Sequence, residues 1–126
     1  MPTKEIGIHA HNNQQLAFAN TIEAIIQNVN YLDGTIFGIG RAAGNCPLEL
    51  LLGFLKNPKY DLRPILDILE THFVKLNEEI EWGYTVPYMI TGILDLHPRA
   101  AMKLRKTEKK DDYKGFYDLL TQDDNI

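Results

Sequence analysis

The sequence is short of several things at once. One cysteine, Cys46, stands in 126 residues, so no internal disulfide can form and a stapled secreted scaffold is excluded. Apolar runs such as "LELLLGFL", Leu48 to Leu55, fall far below the ~20 residues that cross a bilayer, and "MPTKEIG" carries no secretory apolar region. No membrane partner and a cytoplasmic, reducing address are therefore expected. Positive charge is not in excess: 13 Lys and Arg stand against 17 Asp and Glu, a net charge of -4. Phosphate binding needs a basic surface, so no nucleic-acid partner is expected either. The basic cluster "RKTEKK", Arg105 to Lys110, is flanked by acidic residues and reads as a solvated helix boundary. Internal repeats are absent, as is low-complexity sequence apart from the polar tail "TQDDNI".

What remains is a chain with 44% apolar and 24% charged residues, enough for one globular domain. "EIGIHAH" alternates Ile6 and Ile8 around a glycine and reads as a short strand ending at His9 and His11. Phe18, Ile22, Ile25, Ile26 and Val29 then recur at three- and four-residue steps, which predicts a helix over Gln14–Val29 capped by Asn12 or Asn13. "YLDGTIFGIG", Tyr31 to Gly40, reads as a second strand. "GRAAGN" is a glycine-bearing loop, and Pro47 opens a helix from Leu48 to about Lys56. That βαβα order is the order of a parallel α/β sheet. Beyond "KNPKYD" the texture is helical. Leu62, Ile65, Leu66, Leu69, Phe73 and Leu76 mark a long amphipathic helix, with further helices over Pro87–Leu96, after Pro98, and around Tyr113, Phe116, Tyr117 and Leu120. Two parallel strands do not make a stable sheet by themselves, so the first half reads as the end of something larger.

His9 and His11 are the chemical question. Residues i and i+2 of a strand share a face, so two imidazoles can converge on one ion at the end of a parallel strand, where α/β proteins place their sites. The same pair also fits surface residues or helix-start caps. His72 and His97 fall in predicted helices and read as structural or exposed.

Taken as an ordered set, H-x-H-N with L-x-x-A-N, then D-G-x-x-x-G-x-G and G-N-x-P-L-E, resembles the last two strand-helix units of the DRE-TIM metallolyase superfamily, the HMGL-like aldolases and their relatives. "GYTVPYMITGILDLHPRAA" resembles the helical C-terminal region of those aldolases, so the likeness runs from about Lys4 to Ala101. The fold it implies is α/β: the end of a TIM (β/α)8 barrel over residues 1–57 and an α-helical C-terminal region over 58–126, with the barrel incomplete in this chain. By the same resemblance His9 and His11 match two metal ligands, Asn45 matches a further ligand or site residue, and Tyr84 matches a tyrosine brought into the site from the C-terminal region. The implied cofactor is a divalent ion, Mn2+ or Mg2+. The implied activity is cleavage of a 4-hydroxy-2-oxo acid to pyruvate and an aldehyde.

Two departures qualify the match. The hydroxymethylglutaryl-CoA lyase branch carries a reactive cysteine in the eighth-strand loop, where this chain reads "GIGRAAGN", and Cys46 lies beyond it. The first-strand Asp and Arg of the family, and its six preceding strands, are not in this sequence. The chain is therefore expected to be a C-terminal part with little or no activity alone, partnered by the missing barrel half or an aldehyde dehydrogenase, and prone to self-association through an uncovered edge. An amidohydrolase reading fails for want of later ligand-bearing strands. A non-catalytic helical interaction module remains the alternative.

Overall fold

The computed structural model describes residues 4–122, so the predicted polar tail lies outside it from Asp123 onward. Two short strands, β1 (Gly7–Ile8) and β2 (Tyr31–Leu32), pair in parallel with Gly7 opposite Tyr31 and Ile8 opposite Leu32. Gly7 permits this approach, because a β-carbon there would come within 3.0 Å of the Tyr31 β-carbon. The ladder is lengthened by the N–H of Asn30 donating to Ile6 O at 2.7 Å and that of Asp33 to Ile8 O at 2.9 Å.

Helix α1 (Ala17–Ile26) connects the strands and is shorter at both ends than expected; its N-cap position is Leu16, with no side-chain cap bond, and Asn12 Oδ1 accepts the Ala17 N–H at 3.2 Å from further back along the chain. The buried face is not the one the large residues mark. Ala17, Thr21 and Ala24 are buried, whereas Ile26 is 64% exposed. Small residues at i, i+4 and i+7 let the helix backbone approach closely, and the Thr21 hydroxyl is satisfied by donating to Ala17 O at 2.7 Å.

The second strand is shorter than predicted. After Leu32 the chain turns through a 3-10 segment, Ile36–Gly38, in which Phe37 takes a left-handed backbone, φ 58°. Local partners capture its polar groups: the Glu49 carboxylate accepts the Phe37 N–H at 2.9 and 3.0 Å, and Cys46 O accepts the Thr35 N–H at 2.9 Å. Helix α2 (Leu48–Leu55) follows Pro47 and ends on Lys56 in a left-handed conformation.

Arg63–Glu79 is one continuous helix: α3 (Arg63–Ile68), a π-helical stretch Leu69–Phe73, and α4 (Val74–Glu79). Asp61 Oδ1 accepts the Arg63 N–H at its start. The expected apolar stripe is present but only half covered; no residue of the helix is buried, and Leu66 is 50% exposed. Helices α5 (Val86–Ile93), α6 (Arg99–Leu104) and α7 (Tyr113–Gln122) complete the chain, the last with Asp112 Oδ1 accepting the Gly115 N–H at 3.2 Å. The basic cluster behaves as a helix boundary, where Arg105 makes a two-pronged ion pair with Glu81 at 2.8 and 3.2 Å.

Two apolar clusters hold the molecule, and the loop after β2 belongs to both. Ala42 and Ala43 pack with Tyr88, Ile90, Ala101 and Phe116, while Cys46 packs with Ala17 and Leu51. Trp82 adds a tie across the two halves by donating its Nε1–H to Phe37 O at 3.0 Å. The result is an α/β fold, mostly helical, with a two-strand parallel sheet. Among the described residues no helix is long and apolar enough to cross a membrane.

Candidate functional site

Three segments meet at one cleft of about 390 Å3. The chain leaving β1 contributes His9 and His11, the loop after β2 contributes Arg41, Gly44 and Asn45, and the joint between α5 and α6 contributes His97. The first two are stitched together by backbone: His11 and Asn45 form an antiparallel bridge, and the Asn12 N–H donates to Gly44 O at 3.0 Å.

The histidine rings lie edge to face with centroids 5.2 Å apart, and the His9 side chain is 48% exposed. They are therefore open to the cleft rather than sunk in hydrocarbon. Their partners bear on which nitrogen carries the proton. His9 Nδ1 lies 3.3 Å from Asp33 Oδ2, within ion-pair reach, and a carboxylate only accepts, so this neighbour favours a hydrogen on Nδ1 and leaves Nε2 as the nitrogen for a ligand. His11 Nδ1 lies 3.1 Å from Asn45 Oδ1. The amide nitrogen of Asn45 donates to Ile39 O at 3.1 Å, which orients its oxygen toward the ring. His11 is thus a donor at Nδ1 as well, again with the lone pair on Nε2.

Histidine ligates a divalent ion through one ring nitrogen while the other is held by a polar partner, and each of these rings has such a partner at Nδ1. The residues present fit as two ligands from one side of such a site. Asn45 contributes first by holding His11, with one amide-oxygen lone pair remaining. Among the described residues no group of three His, Cys, Asp or Glu converges to complete a shell.

His97 differs. It lies in the segment between α5 and α6 rather than in a helix, because Pro98 disfavours helical backbone in the residue before it. Its Nδ1 accepts the Arg99 N–H at 3.1 Å. The expected helical position of His97 is corrected accordingly, while the ring is exposed, one of the two expected states. Tyr84 is 42% exposed and does not line the cleft, but it follows Gly83, whose N–H donates to Ala42 O at 3.0 Å. His72 is exposed on the π-helical stretch, away from the cleft. Cys46 is wholly buried; burial raises its thiol, a weaker hydrogen bond with Thr21 lowers it and Glu49 raises it further, which leaves a neutral packing residue.

Asp33 was readable as part of a motif but not as a partner of His9. The parallel register supplies that relation, since each lies one step beyond the aligned pair Ile8 and Leu32.

Parts of several known proteins resemble this chain. The oxaloacetate decarboxylase of Mycobacterium tuberculosis is 49% identical over 51 residues, 40% of this chain and 15% of that protein. The 4-hydroxy-2-oxovalerate aldolase of Stutzerimonas stutzeri is 35% identical over 82 residues, 62% of this chain and 24% of the relative. That of Thermus thermophilus is 41% identical over 70 residues, 52% and 20%. The chain thus spans about a quarter or less of the length of these relatives. Among solved structures, the N-terminal domain of a candidate aldolase from Bacteroides vulgatus superposes with a TM-score of 0.72 at 34% identity, covering 82% of this chain and 36% of that one. The family model for HMGL-like proteins matches residues 2–74, the stretch that carries both histidines, Asp33 and Asn45, and the chain belongs to that family.

Proposed function

We propose that this chain is the C-terminal part of a divalent-metal-dependent lyase of the aldolase type. In this proposal residues 1–57 are the last two strand-helix units of a (β/α)8 barrel, residues 58–126 are its helical extension, and the complete enzyme cleaves a 4-hydroxy-2-oxo acid to pyruvate and an aldehyde. The observation that carries it is that His9 and His11 line one open cleft, each with a polar partner at Nδ1, Asp33 beside His9 and Asn45 hydrogen-bonded to His11. The names of the relatives add the substrate class, since oxaloacetate and 4-hydroxy-2-oxovalerate are both 2-oxo acids. Breaking the C3–C4 bond of either, with carbon dioxide leaving from the first and an aldehyde from the second, leaves the electron pair on C3 as the enolate of pyruvate.

A bound Mn2+ or Mg2+ supplies Lewis-acid stabilisation of that enolate charge. His9 and His11 hold the ion, while Asp33 and Asn45 keep the two rings in register. The role that the resemblance implies for Tyr84, orienting the substrate or returning a proton to the enolate carbon, is not supported by its position here, outside the cleft lining. The remaining carboxylate ligand, the arginine for the enolate and the base for the 4-hydroxyl come from the missing barrel strands, so the isolated chain is inactive or nearly so. Unsatisfied surface supports this incompleteness: the two strands have open edges, and Ile6, Ile26 and Leu119 are 60%, 64% and 65% exposed. A helical interaction module remains the second reading, favoured by the wholly unburied helix Arg63–Glu79, and an aldehyde dehydrogenase is the partner it would dock.

Mixing this chain with a separately produced chain carrying the first six strands tests the proposal. Restored pyruvate release is expected. A demonstrated complex that releases none overturns it. Manganese titration isolates the metal step: binding is expected for the wild type and lost in the His9→Ala/His11→Ala double variant, and equal uptake by both removes the site.

A further inference from the structure

We propose that His97 and Arg41 form a carboxylate-binding wall of the cleft, a site for the acid group of a 2-oxo acid; the substrate class rests on the function proposed above. The inference comes from hydrogen-bond polarity. His97 Nδ1 is already occupied by the Arg99 N–H, so in the neutral ring the hydrogen sits on Nε2, the reverse of His9 and His11. A nitrogen that carries a hydrogen has no lone pair for a metal, and what His97 brings to the cleft is a donor. Its backbone anchor at the start of α6 fixes the ring, so little side-chain freedom is lost when an anion is taken up.

Arg41 reaches the same cleft from the loop after β2 and makes no ion pair among the described residues. The cleft is lined by no carboxylate, so this guanidinium has no acidic neighbour there to neutralise it. The cleft therefore gathers the N–H of His97 and the charge of Arg41 beside the two site histidines. The carboxylate of an α-oxo acid, an acceptor, matches the first two, whereas lone pairs on the histidines suit a cation. A volume of about 390 Å3 holds such a molecule together with several waters at roughly 30 Å3 each.

Oxalate, a dianion of two adjacent carboxylates that resembles the oxo-acid end of the substrate, is the probe. The full 126-residue chain, 15N-labelled and stripped of metal on a chelating resin, is titrated with oxalate against chloride at matched ionic strength. Long-range 1H–15N spectra report each imidazole. The hydrogen is expected on Nε2 of His97 and on Nδ1 of His9 and His11, and oxalate is expected to move the His97 signals where chloride does not. His97→Asn keeps an acceptor for the Arg99 N–H but does not reach the cleft, and Arg41→Gln removes the charge; each should weaken oxalate by on the order of tenfold. His97→Gln, which extends an N–H donor to about the place of Nε2, should recover most of that loss. A His97 hydrogen on Nδ1, identical responses to oxalate and chloride, or wild-type affinity in His97→Asn overturns the proposal. Manganese broadening of His9 and His11 is read separately. If it is present while oxalate leaves His97 unmoved, this proposal fails and the metal site stands; if it is absent while oxalate binding depends on His97 and Arg41, the metal reading fails and this proposal stands.

Discussion

Replacing Gly44 with alanine tests whether the loop after β2 is held in one shape for the sake of the cleft. Gly44 has φ +78°, and a β-carbon built on it would collide with the carbonyl oxygen of Gly38. That oxygen also accepts the Asn45 N–H at 3.0 Å, so the loop cannot yield there without releasing the residue that orients His11. An alanine in left-handed backbone costs about 1–2 kcal/mol, and losing one internal hydrogen bond costs about 0.5–1.5 kcal/mol. The sum, roughly 1.5–3.5 kcal/mol, is a sizeable part of the stability of an ordinary domain. Gly53→Ala is the control. Gly53 lies inside α2, where an added β-carbon meets only Leu62 Cδ2 at 3.7 Å, and a helix-interior alanine gains about 0.5–1 kcal/mol over glycine. The same methyl group should therefore act with opposite sign at the two positions. Urea unfolding followed by circular dichroism measures both, and 15N spectra of His11 show whether its tautomer is still fixed. A Gly44→Ala variant within about 0.5 kcal/mol of wild type, or a Gly53→Ala variant as damaged as Gly44→Ala, refutes the reasoning.

Three further outcomes are expected. Asp33→Ala removes the anchor of His9 and should weaken manganese binding by about tenfold, read by titration; an unchanged affinity separates Asp33 from the site. Trp82→Phe keeps a ring in place but loses the N–H bond to Phe37 O, which should cost about 1 kcal/mol in urea unfolding, and a neutral result means that the ring alone ties the two halves. Alkaline pH should destabilise the chain. Burial raises the Cys46 thiol above 9.0 and, together with Glu81, raises the Tyr88 hydroxyl above 10.0 despite an opposing pull from Arg105. Both groups are neutral when protonated, so their contribution is intact below their ordinary values and lost as pH rises through the raised ones. The urea midpoint should fall between about pH 8 and about pH 10.5, less steeply in Cys46→Ala; a flat profile contradicts the burial of both groups.

Much of the architecture was legible because periodicity reports burial cheaply. The helices over Leu48–Leu55, Arg63–Glu79, Val86–Ile93, Arg99–Leu104 and Tyr113–Gln122 fall where the apolar spacing and proline signals put them. Other features depend on relations that a single sequence does not display. The length of β2 is set by Glu49, seventeen residues after Leu32, whose carboxylate captures the Phe37 N–H. The buried face of α1 follows Ala17, Thr21 and Ala24 because close approach favours small side chains, a preference that hydrophobicity alone ranks below Ile26. His9, His11 and Asn45 were marked by spacing and resemblance, and the structure places all three on one cleft. His97 carried a local signal as well, in the proline that follows it, but its approach to His9 across 88 residues is a matter of helix docking.

That docking ties the site to the core. Ala42 and Ala43 are held by the C-terminal helices, Cys46 is held beneath α1 and α2, and between them Gly44 and Asn45 form a wall of the cleft. A five-residue span cannot shift one of these contacts without straining the other, because close-packed interiors move between discrete arrangements rather than deforming smoothly. The seat of His11 thus depends on whether α5, α6 and α7 are in place, even though the hydrogen bond that holds its ring comes from Asn45 and from none of them. By linkage, an ion or anion that binds only the assembled cleft must stabilise the docked helices by the same free energy that docking adds to its binding. Cutting away α5, α6 and α7 should therefore loosen His11 as well as remove His97 from the cleft.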